Sequence, residues 1–182
     1  MKKYIALMLA LVLLFCVGCG KKTGDIPMEK LQWYLNEGQL DDGDYVFVNF
    51  GNNSQYTFTS VQLNFEIRED VDAHKVTEIY IAIQESQGFT DQFMQEYKRN
   101  LEDNGKRLSM QARIDQPLTP GQEAREIKCY YMGGWTSKDV LFAEYFELTT
   151  IVIGYEKDGV AYTQTYDKAA GTYICAEAAV QQ

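Results

Sequence analysis

The amino-acid sequence predicts a mainly β protein, an antiparallel immunoglobulin-like β-sandwich with one or two inserted or peripheral helices. Two segments, Val61–Arg68 and Leu108–Asp115, alternate apolar and polar residues with the period of a strand that is buried on one face. Turn signals separate many short apolar segments; in Lys157–Val160, Asp-Gly suits the two positive-φ positions of a type I′ hairpin turn. Such a series of short strands is typical of a sandwich.

The first predicted elements show two kinds of apolar pattern, one typical of a helix and one typical of strands. Met28–Leu40 places Leu31 and Leu35 at helical spacing, and Pro27 is well placed to open a helix there. Tyr45–Phe50 is almost continuously apolar, which favours a strand buried on both faces. Ile79, Ile81 and Ile83 alternate with polar or small residues, so we expect a further strand. These segments predict one helix followed by strands.

One later segment has a clear helical period. Phe89, Phe93, Tyr97 and Leu101 recur every four residues, which predicts an amphipathic helix over Thr90–Asn104 that packs an aromatic stripe on the sheet. We expect two strand segments joined by a bend in Val140–Glu156. The other later strands are expected at Leu108–Asp115, Ala124–Met132, Val160–Tyr166 and Thr172–Ala176.

The N-terminus predicts export. Two lysines precede a short apolar run, Ile5–Val17, which is shorter than the roughly 20 residues that a spanning helix needs. Val17-Gly18-Cys19 is similar to a bacterial lipobox, in which the cysteine thiol receives a diacylglycerol. An uncleaved anchor and a plain secretory signal are the alternatives. Two acyl chains suffice for stable membrane attachment.

This interpretation divides the chain into three parts. Residues 1–18 form the signal peptide, residues 19–27 the lipidated N-terminus and a polar tether, and residues 28–182 the sandwich domain. We expect the mature protein on the extracytoplasmic face of the cell membrane. Removal of residues 1–18 takes away two lysines and no acid, so the mature chain is more acidic than the formal net charge of −9. Such a surface repels phosphates and excludes nucleic acid as an expected partner.

Two cysteines are left after processing. Cys129 and Cys175 both lie in apolar strand patterns, and simple alternation places Cys129 on the face of Ile127 and Tyr131. An exported protein can form disulfides, but buried free cysteines are also common. A disulfide between Cys129 and Cys175 and a pair of buried thiols therefore stay open as alternatives.

The sequence offers little equipment for catalysis. His74 is the single histidine and lies in a polar stretch, so we expect a solvated residue rather than a base. No cluster of histidines and cysteines has zinc spacing, and we expect no metal or other cofactor. Asp41–Asp44 lacks the ligand spacing of a calcium loop and is expected to end a helix and form a turn. Glu66 and Glu78 are expected to be solvated.

Aromatic residues are the one suggestive feature. Tyr56, Tyr130 and Tyr162 fall off the predicted apolar faces, and Trp135 lies in the loop Met132–Ser137. Flat aromatic rings on loops bind peptides or sugars at low entropic cost, so Trp135 and Tyr130 are the predicted ligand-loop residues. The alternative is that Trp135 covers the open end of the sandwich.

Parts of the chain resemble a known group of domains. Tyr45–Asn52 followed by Val61–Phe65 resembles the opening of the small immunoglobulin-like domains of Gram-positive lipoproteins, in which an apolar strand ends in Asn and an alternating strand returns. Leu118–Glu123 is similar to their Leu-x-Pro-Gly-Glu turn, which the strand Ala124–Met132 follows. The nearest types are FxLYD-like and DUF4352-like domains. This resemblance implies location and fold, and no activity.

Three functions follow as hypotheses. The first is a non-enzymatic envelope lipoprotein that binds another protein or a wall polymer. The second is a small-ligand or carbohydrate-binding module, for which a cell-wall glycan is the expected partner. The third, a hydrolase, has the least support because acid–base groups are sparse.

Overall fold

Two antiparallel sheets pack face to face in the computed structural model, which describes residues 24–89, 92, 95, 96, 99, 108–134 and 141–177. The three-stranded sheet has the order β1-β2-β5, and the five-stranded sheet has the order β4-β3-β6-β7-β8. The elements are β1 (Leu31–Leu40), β2 (Gly43–Asn52), β3 (Phe58–Ile67), helix α1 (Ala73–Ser86), β4 (Ser109–Ile114), β5 (Glu123–Gly133), β6 (Phe146–Lys157), β7 (Val160–Asp167) and β8 (Thr172–Glu177). The predicted β-sandwich class is confirmed.

The core lies between the sheets. On β3, Val61, Leu63 and Phe65 are buried, as the alternation predicts. Phe65 meets the ring of Trp33 from the opposite sheet edge-on, with ring centroids 5.8 Å apart. Each buried apolar side chain of this kind contributes roughly 1.5–3 kcal/mol before entropy is subtracted. The two sheets are therefore held mainly by apolar contact.

The helix predicted over Met28–Leu40 is wrong. Within this range a 3₁₀ turn, Met28–Lys30, leads into the ten-residue strand β1, which pairs with β2 along its whole length. Leu31, Trp33 and Leu35 pack against the core, so the inward positions follow a period of two. Leu31 and Leu35 fit a helical and a strand period equally well, and the tertiary pairing with β2 decides between them.

The strand predicted at Ile79–Ile83 is also wrong, because the segment is α1. Val76, Tyr80 and Ile83 are its buried apolar residues among those described, at the spacing of one helical face. The Asp72 carboxylate accepts a hydrogen bond from the His74 backbone N–H at 2.9 Å and caps the N-terminus. The cap and the period of these three residues are the signals that the isoleucine alternation hid.

The segment Val140–Glu156 contains one described strand instead of the predicted two. A 3₁₀ turn, Phe142–Tyr145, precedes β6, which runs unbroken over twelve residues. The hairpin after β6 is confirmed, since Lys157 pairs with Val160 and the two residues between them have φ of 54° and 76°.

Most of the helix predicted over Thr90–Asn104 lies outside the described residues, as does most of its aromatic stripe. The four described positions within it are helical and exposed, namely Gln92, Gln95, Glu96 and Arg99. These four polar side chains fit the solvent face of the predicted helix.

The described chain enters the domain through a buried clamp. Ile26 is fully buried, and its backbone N–H donates to Gln164 Oε1 at 3.0 Å while its carbonyl accepts from Gln164 Nε2 at 2.7 Å. A side chain at Gly24 would overlap the Gln164 amide, because a Cβ there would lie 2.2 Å from it. Part of the predicted tether, residues 24–27, thus belongs to the folded domain.

A second buried amide, Asn52, ties the loops at this same end. Its Nδ2 donates to the carbonyls of Tyr56 and Leu118, both at 2.8 Å, and its Oδ1 accepts from Ser54. We call this the entry end, which also holds the β6–β7 turn. The far end holds the β1–β2 turn, helix α1 and the β7–β8 turn.

Replacement of the clamp should destabilise the fold. Gln164→Ala leaves the buried N–H and carbonyl of Ile26 without partners, which costs about 2–4 kcal/mol. Urea unfolding of a chain that begins at residue 20 measures this loss. Gln116→Ala, at an exposed position, is the matched control and should change the free energy of unfolding by less than about 0.5 kcal/mol. Equal midpoints for both variants would contradict the clamp.

Candidate binding face

The structure separates the residues that the sequence singled out. Cys19 and Trp135 lie outside the described residues. Tyr130 is half-buried between α1 and the sandwich: its hydroxyl accepts a hydrogen bond from Gln84 Nε2 at 2.7 Å, and its ring lies 5.7 Å from that of Phe142. The expectation that Tyr130 falls off the apolar face is therefore wrong, because its ring packs inside. Its role as a ligand-loop residue stays a prediction.

A β-bulge explains the error at Tyr130. Val46 pairs with Tyr130 and Phe47 pairs with Lys128, so Cys129 is the extra residue in β5. The bulge shifts the alternation by one position and turns Tyr130 inward and Tyr131 outward. Simple alternation had placed Tyr131 on the inner face.

Cys129 and Cys175 are free thiols on different sheets. Both are half-buried and pack against the core, and Cys175 Sγ lies 3.3 Å from the Tyr155 hydroxyl. Burial raises the pKa of the Cys129 thiol to about 12. Of the two alternatives, the structure therefore shows free thiols, and it does not bring the two cysteines together.

Tyr56 and Tyr162 also differ from expectation, because both pack against the core. Their rings flank Tyr155, with centroids 5.2 Å and 5.7 Å from its ring. Two exposed aromatic residues, Tyr34 and Tyr131, lie instead on the three-stranded sheet, and Phe89 is exposed shortly after α1.

The outer aromatic face is the side of this sheet that points away from the sandwich core. We define it by Tyr34 on β1, Tyr45 and Phe47 on β2, and Lys128 and Tyr131 on β5. Tyr45 and Phe47 are buried, whereas Tyr34 and Tyr131 are 53% and 41% exposed. The Tyr45 ring lies 4.9 Å from that of Tyr131 and 5.7 Å from that of Phe47.

Charged groups fix the far-end part of this face. Lys128 Nζ lies 4.1 Å from the centroid of the Tyr45 ring, a cation–π contact, and 3.4 Å from Asp42 Oδ2. The Tyr45 hydroxyl donates to Asp42 Oδ2 at 2.7 Å and, with Lys128, lowers the pKa of the Asp42 carboxyl. Tyr131 donates to the Asp42 carbonyl at 3.0 Å. These contacts hold the rings of Tyr45 and Tyr131 in place.

Two glycines let the rings lie flat on the sheet. A Cβ at Gly43, where φ is 139°, would lie 2.7 Å from the Tyr131 ring and 2.8 Å from the Gly133 carbonyl. A Cβ at Gly38 would lie 3.1 Å from the Phe47 ring. Both positions thus require a small residue if the outer aromatic face is to keep this arrangement.

Asn49 completes the face at its middle. Its Oδ1 accepts a hydrogen bond from the Glu126 N–H at 3.0 Å, at a residue whose φ is 52°, and its Nδ2 donates to Asn36 Oδ1 at 2.8 Å. Tyr34 pairs directly across from Asn49 and shares its face. Asn49, the single polar residue within the apolar run of β2, thus accepts a hydrogen bond from a backbone N–H of β5 at a point where the pairing of the two strands is irregular.

Other groups that could carry chemistry are dispersed. His74 is exposed on α1, with Nε2 3.4 Å from Glu78 Oε1. Glu66 is exposed on β3. Asp41 and Asp42 form the β1–β2 turn rather than the predicted helix stop. Within the described ranges, no three His, Cys, Asp or Glu side chains are arranged to hold a metal ion.

Glu37 is a partly buried carboxylate at the far end whose pKa is raised. Its carboxylate accepts a hydrogen bond from the Ala143 backbone N–H at 2.7 Å and so ties β1 to the 3₁₀ turn at Phe142–Tyr145. Burial raises the pKa of this carboxyl, against the opposing effect of the backbone N–H groups of Ala143 and Phe142.

Fold and surface together define a two-sheet antiparallel sandwich with an aromatic outer face. Comparison with protein-family models, with curated proteins and with solved structures found no match to this chain. The resemblance to small lipoprotein domains therefore stays a prediction. Over the part of the chain that the structure describes, no helix is both long and apolar enough to cross a bilayer.

The raised pKa of Glu37 has a consequence for stability. The folded state binds this proton more tightly than the unfolded state, so the stabilisation is present below the ordinary pKa and is lost as pH rises through the folded-state pKa. Glu37→Gln keeps an acceptor oxygen and removes the titration. Its melting temperature should therefore rise relative to wild type between about pH 4 and pH 7.

Thermal melts across this range measure the difference. Glu66→Gln, at an exposed carboxyl, is melted in parallel to correct for the change in net charge. A Glu37→Gln difference that stays constant with pH would show that burial of Glu37 does not perturb its titration.

The thiols provide a third prediction. An acyl-free chain that begins at residue 20 should show two reactive thiols when it is denatured without reductant. In the native protein Cys129 should react slowly near pH 8, because the thiolate is the reactive form. Reductant should leave the unfolding midpoint unchanged. A count of zero thiols in denaturant would establish a disulfide instead.

Proposed function

We propose that this chain is a lipid-anchored extracytoplasmic binding module without enzymatic activity, and that it recognises an envelope protein through the outer aromatic face. The observation that carries the proposal is the pair of exposed tyrosines, Tyr34 and Tyr131, on a face whose central rings are already packed and hydrogen-bonded. Tyrosines on rigid elements contribute much of the binding energy in protein interfaces.

The charges on this face favour a protein over an anionic polymer. Lys128 pairs with Asp42, and Arg125 Nε lies 2.8 Å from Glu123 Oε2. A polyanion needs unpaired cations to replace its counterions, whereas a protein interface uses aromatic anchors within a polar rim. The paired charges therefore support a folded partner rather than a charged wall polymer.

The placement of reactive groups supports binding rather than catalysis. His74, the single histidine of the chain, is exposed on the first turn of α1, and its described ionic neighbour is Glu78. The raised pKa of Cys129 keeps its thiol protonated, which is unsuited to a nucleophile.

The lipid anchor at Cys19 rests on the residues before it. A short apolar run ends in Val17-Gly18-Cys19, which fits removal of residues 1–18 and transfer of a diacylglycerol to the Cys19 thiol. The anchored protein then lies on the extracytoplasmic face of the membrane, where an envelope partner is within reach.

A pull-down from solubilised envelope tests the binding. Full-length protein should retain one partner in a fixed ratio, and Tyr131→Ala and Tyr34→Ala should each weaken that binding at least about tenfold. Ile174→Ala is the matched control, because Ile174 is exposed on β8 of the other sheet. It should retain the partner fully.

Three outcomes would contradict the proposal. Retention of the partner by both tyrosine variants would remove the outer aromatic face from the interaction. Binding to isolated wall glycan that the tyrosine variants lose would identify a carbohydrate module instead. An intact Met1 terminus in the mass of the purified protein would contradict the anchor.

A further inference from the structure

The segment that follows the proposed lipidation site is fixed to the sandwich almost as soon as the described chain begins. The Asp25 carboxylate accepts a hydrogen bond from the Tyr155 hydroxyl at 2.8 Å and one from Lys157 Nζ at 3.0 Å. Both donors lower the pKa of Asp25, with Lys157 the larger cause. Met28 N–H donates to the Tyr173 hydroxyl at 2.8 Å. With the Gln164 clamp, these bonds attach the segment to β6, β7 and β8.

The segment between Cys19 and these contacts is short. Four residues separate Cys19 from Gly24. Five Cα–Cα steps at about 3.3–3.6 Å span at most about 18 Å. The polar region on each side of the hydrocarbon core is about 5–8 Å thick. Crossing the lipid headgroups takes up about 5–8 Å of this span, so at most about 10–13 Å remains between the headgroups and Gly24.

We infer that the entry end of the sandwich lies on the lipid surface, and that the sandwich stands on the membrane with its far end directed away from it. This inference rests on the proposed attachment of lipid at Cys19. The surface that meets the headgroups consists of the β6–β7 turn with the exposed Val160 and the loop 53–56.

The chemistry of this end suits a headgroup layer. An open cavity of about 410 Å³ lies between Pro27, Lys30 and the loop Asn53–Tyr56, and it is lined by one ammonium group, the Asp25 carboxylate and two side-chain amides. Lys157 is held by Asp25 and adds no free charge. Since this surface carries little net positive charge, the short tether rather than electrostatic attraction holds it at the membrane.

The outer aromatic face then has a defined position. Strand β1 runs from Leu31 near the entry end to Leu40 at the far end, and its ten residues cover about 33 Å at ~3.3 Å per residue. Tyr131 and the Asp42 turn therefore stand about 30 Å above the headgroups. The face is directed at partners in the envelope space and not at lipid.

Fluorescence quenching on vesicles tests this orientation. Full-length lipidated protein receives one fluorophore, either at Val160→Cys in the entry-end turn or at Ala170→Cys in the far-end turn, in a background of Cys129→Ala and Cys175→Ala. The vesicles contain phosphatidylglycerol, phosphatidylethanolamine and a small fraction of nitroxide-headgroup lipid. Quenching at position 160 should exceed that at position 170 at least threefold.

Flotation and intact mass separate the two proposals. Protein that carries the diacylglycerol and floats with the vesicles, but is quenched equally at both positions or more at 170, would overturn the orientation alone. Protein that neither carries lipid nor floats would overturn the anchor and with it the orientation. Insertion of ten Gly/Ser residues after Gly20 should reduce quenching at 160, and unchanged quenching would refute the role of tether length.

Discussion

Strand β2 has no face that is left to water. Val46, Val48 and Phe50 fill the space between the sheets on one side, while Tyr45 and Phe47 are buried on the other. A strand of this kind must be covered twice. The second sheet covers its inner face. On its outer face Lys128 and Tyr131 of β5 cover Tyr45, and the Phe47 ring lies over Gly38 of β1. The outer aromatic face is the direct result of this second covering.

The sequence predicts an element correctly where the local residue pattern fits one structure, and it fails where the pattern fits more than one. The alternation of Val61–Ile67 and the Asp158-Gly159 turn fix their structures locally, and both were predicted correctly. Leu31 and Leu35 fit two periods, so only pairing with β2 decides for a strand. The bulge at Cys129 has no local signal, and it alone decides which of Tyr130 and Tyr131 is exposed.

The candidate face was predictable only in part. A continuous apolar run at Tyr45–Phe50 indicates a strand buried twice, and this already implies side chains that cover its outer side. Which residues these are depends on register between strands distant in sequence, since Lys128 and Tyr131 meet Tyr45 only through the β2–β5 pairing. The entry clamp was missed for the same reason, because Ile26 and Gln164 are 138 residues apart.

The central claim is that Tyr131 and its neighbours form the recognition surface. Photo-crosslinking in cells tests it most directly, with a photoreactive phenylalanine at position 131 and, as reference, at the exposed position 174 on the other sheet. The account predicts one discrete crosslinked protein from position 131, absent from position 174 and lost on Tyr34→Ala. The same products from both positions, or none from position 131, would contradict it.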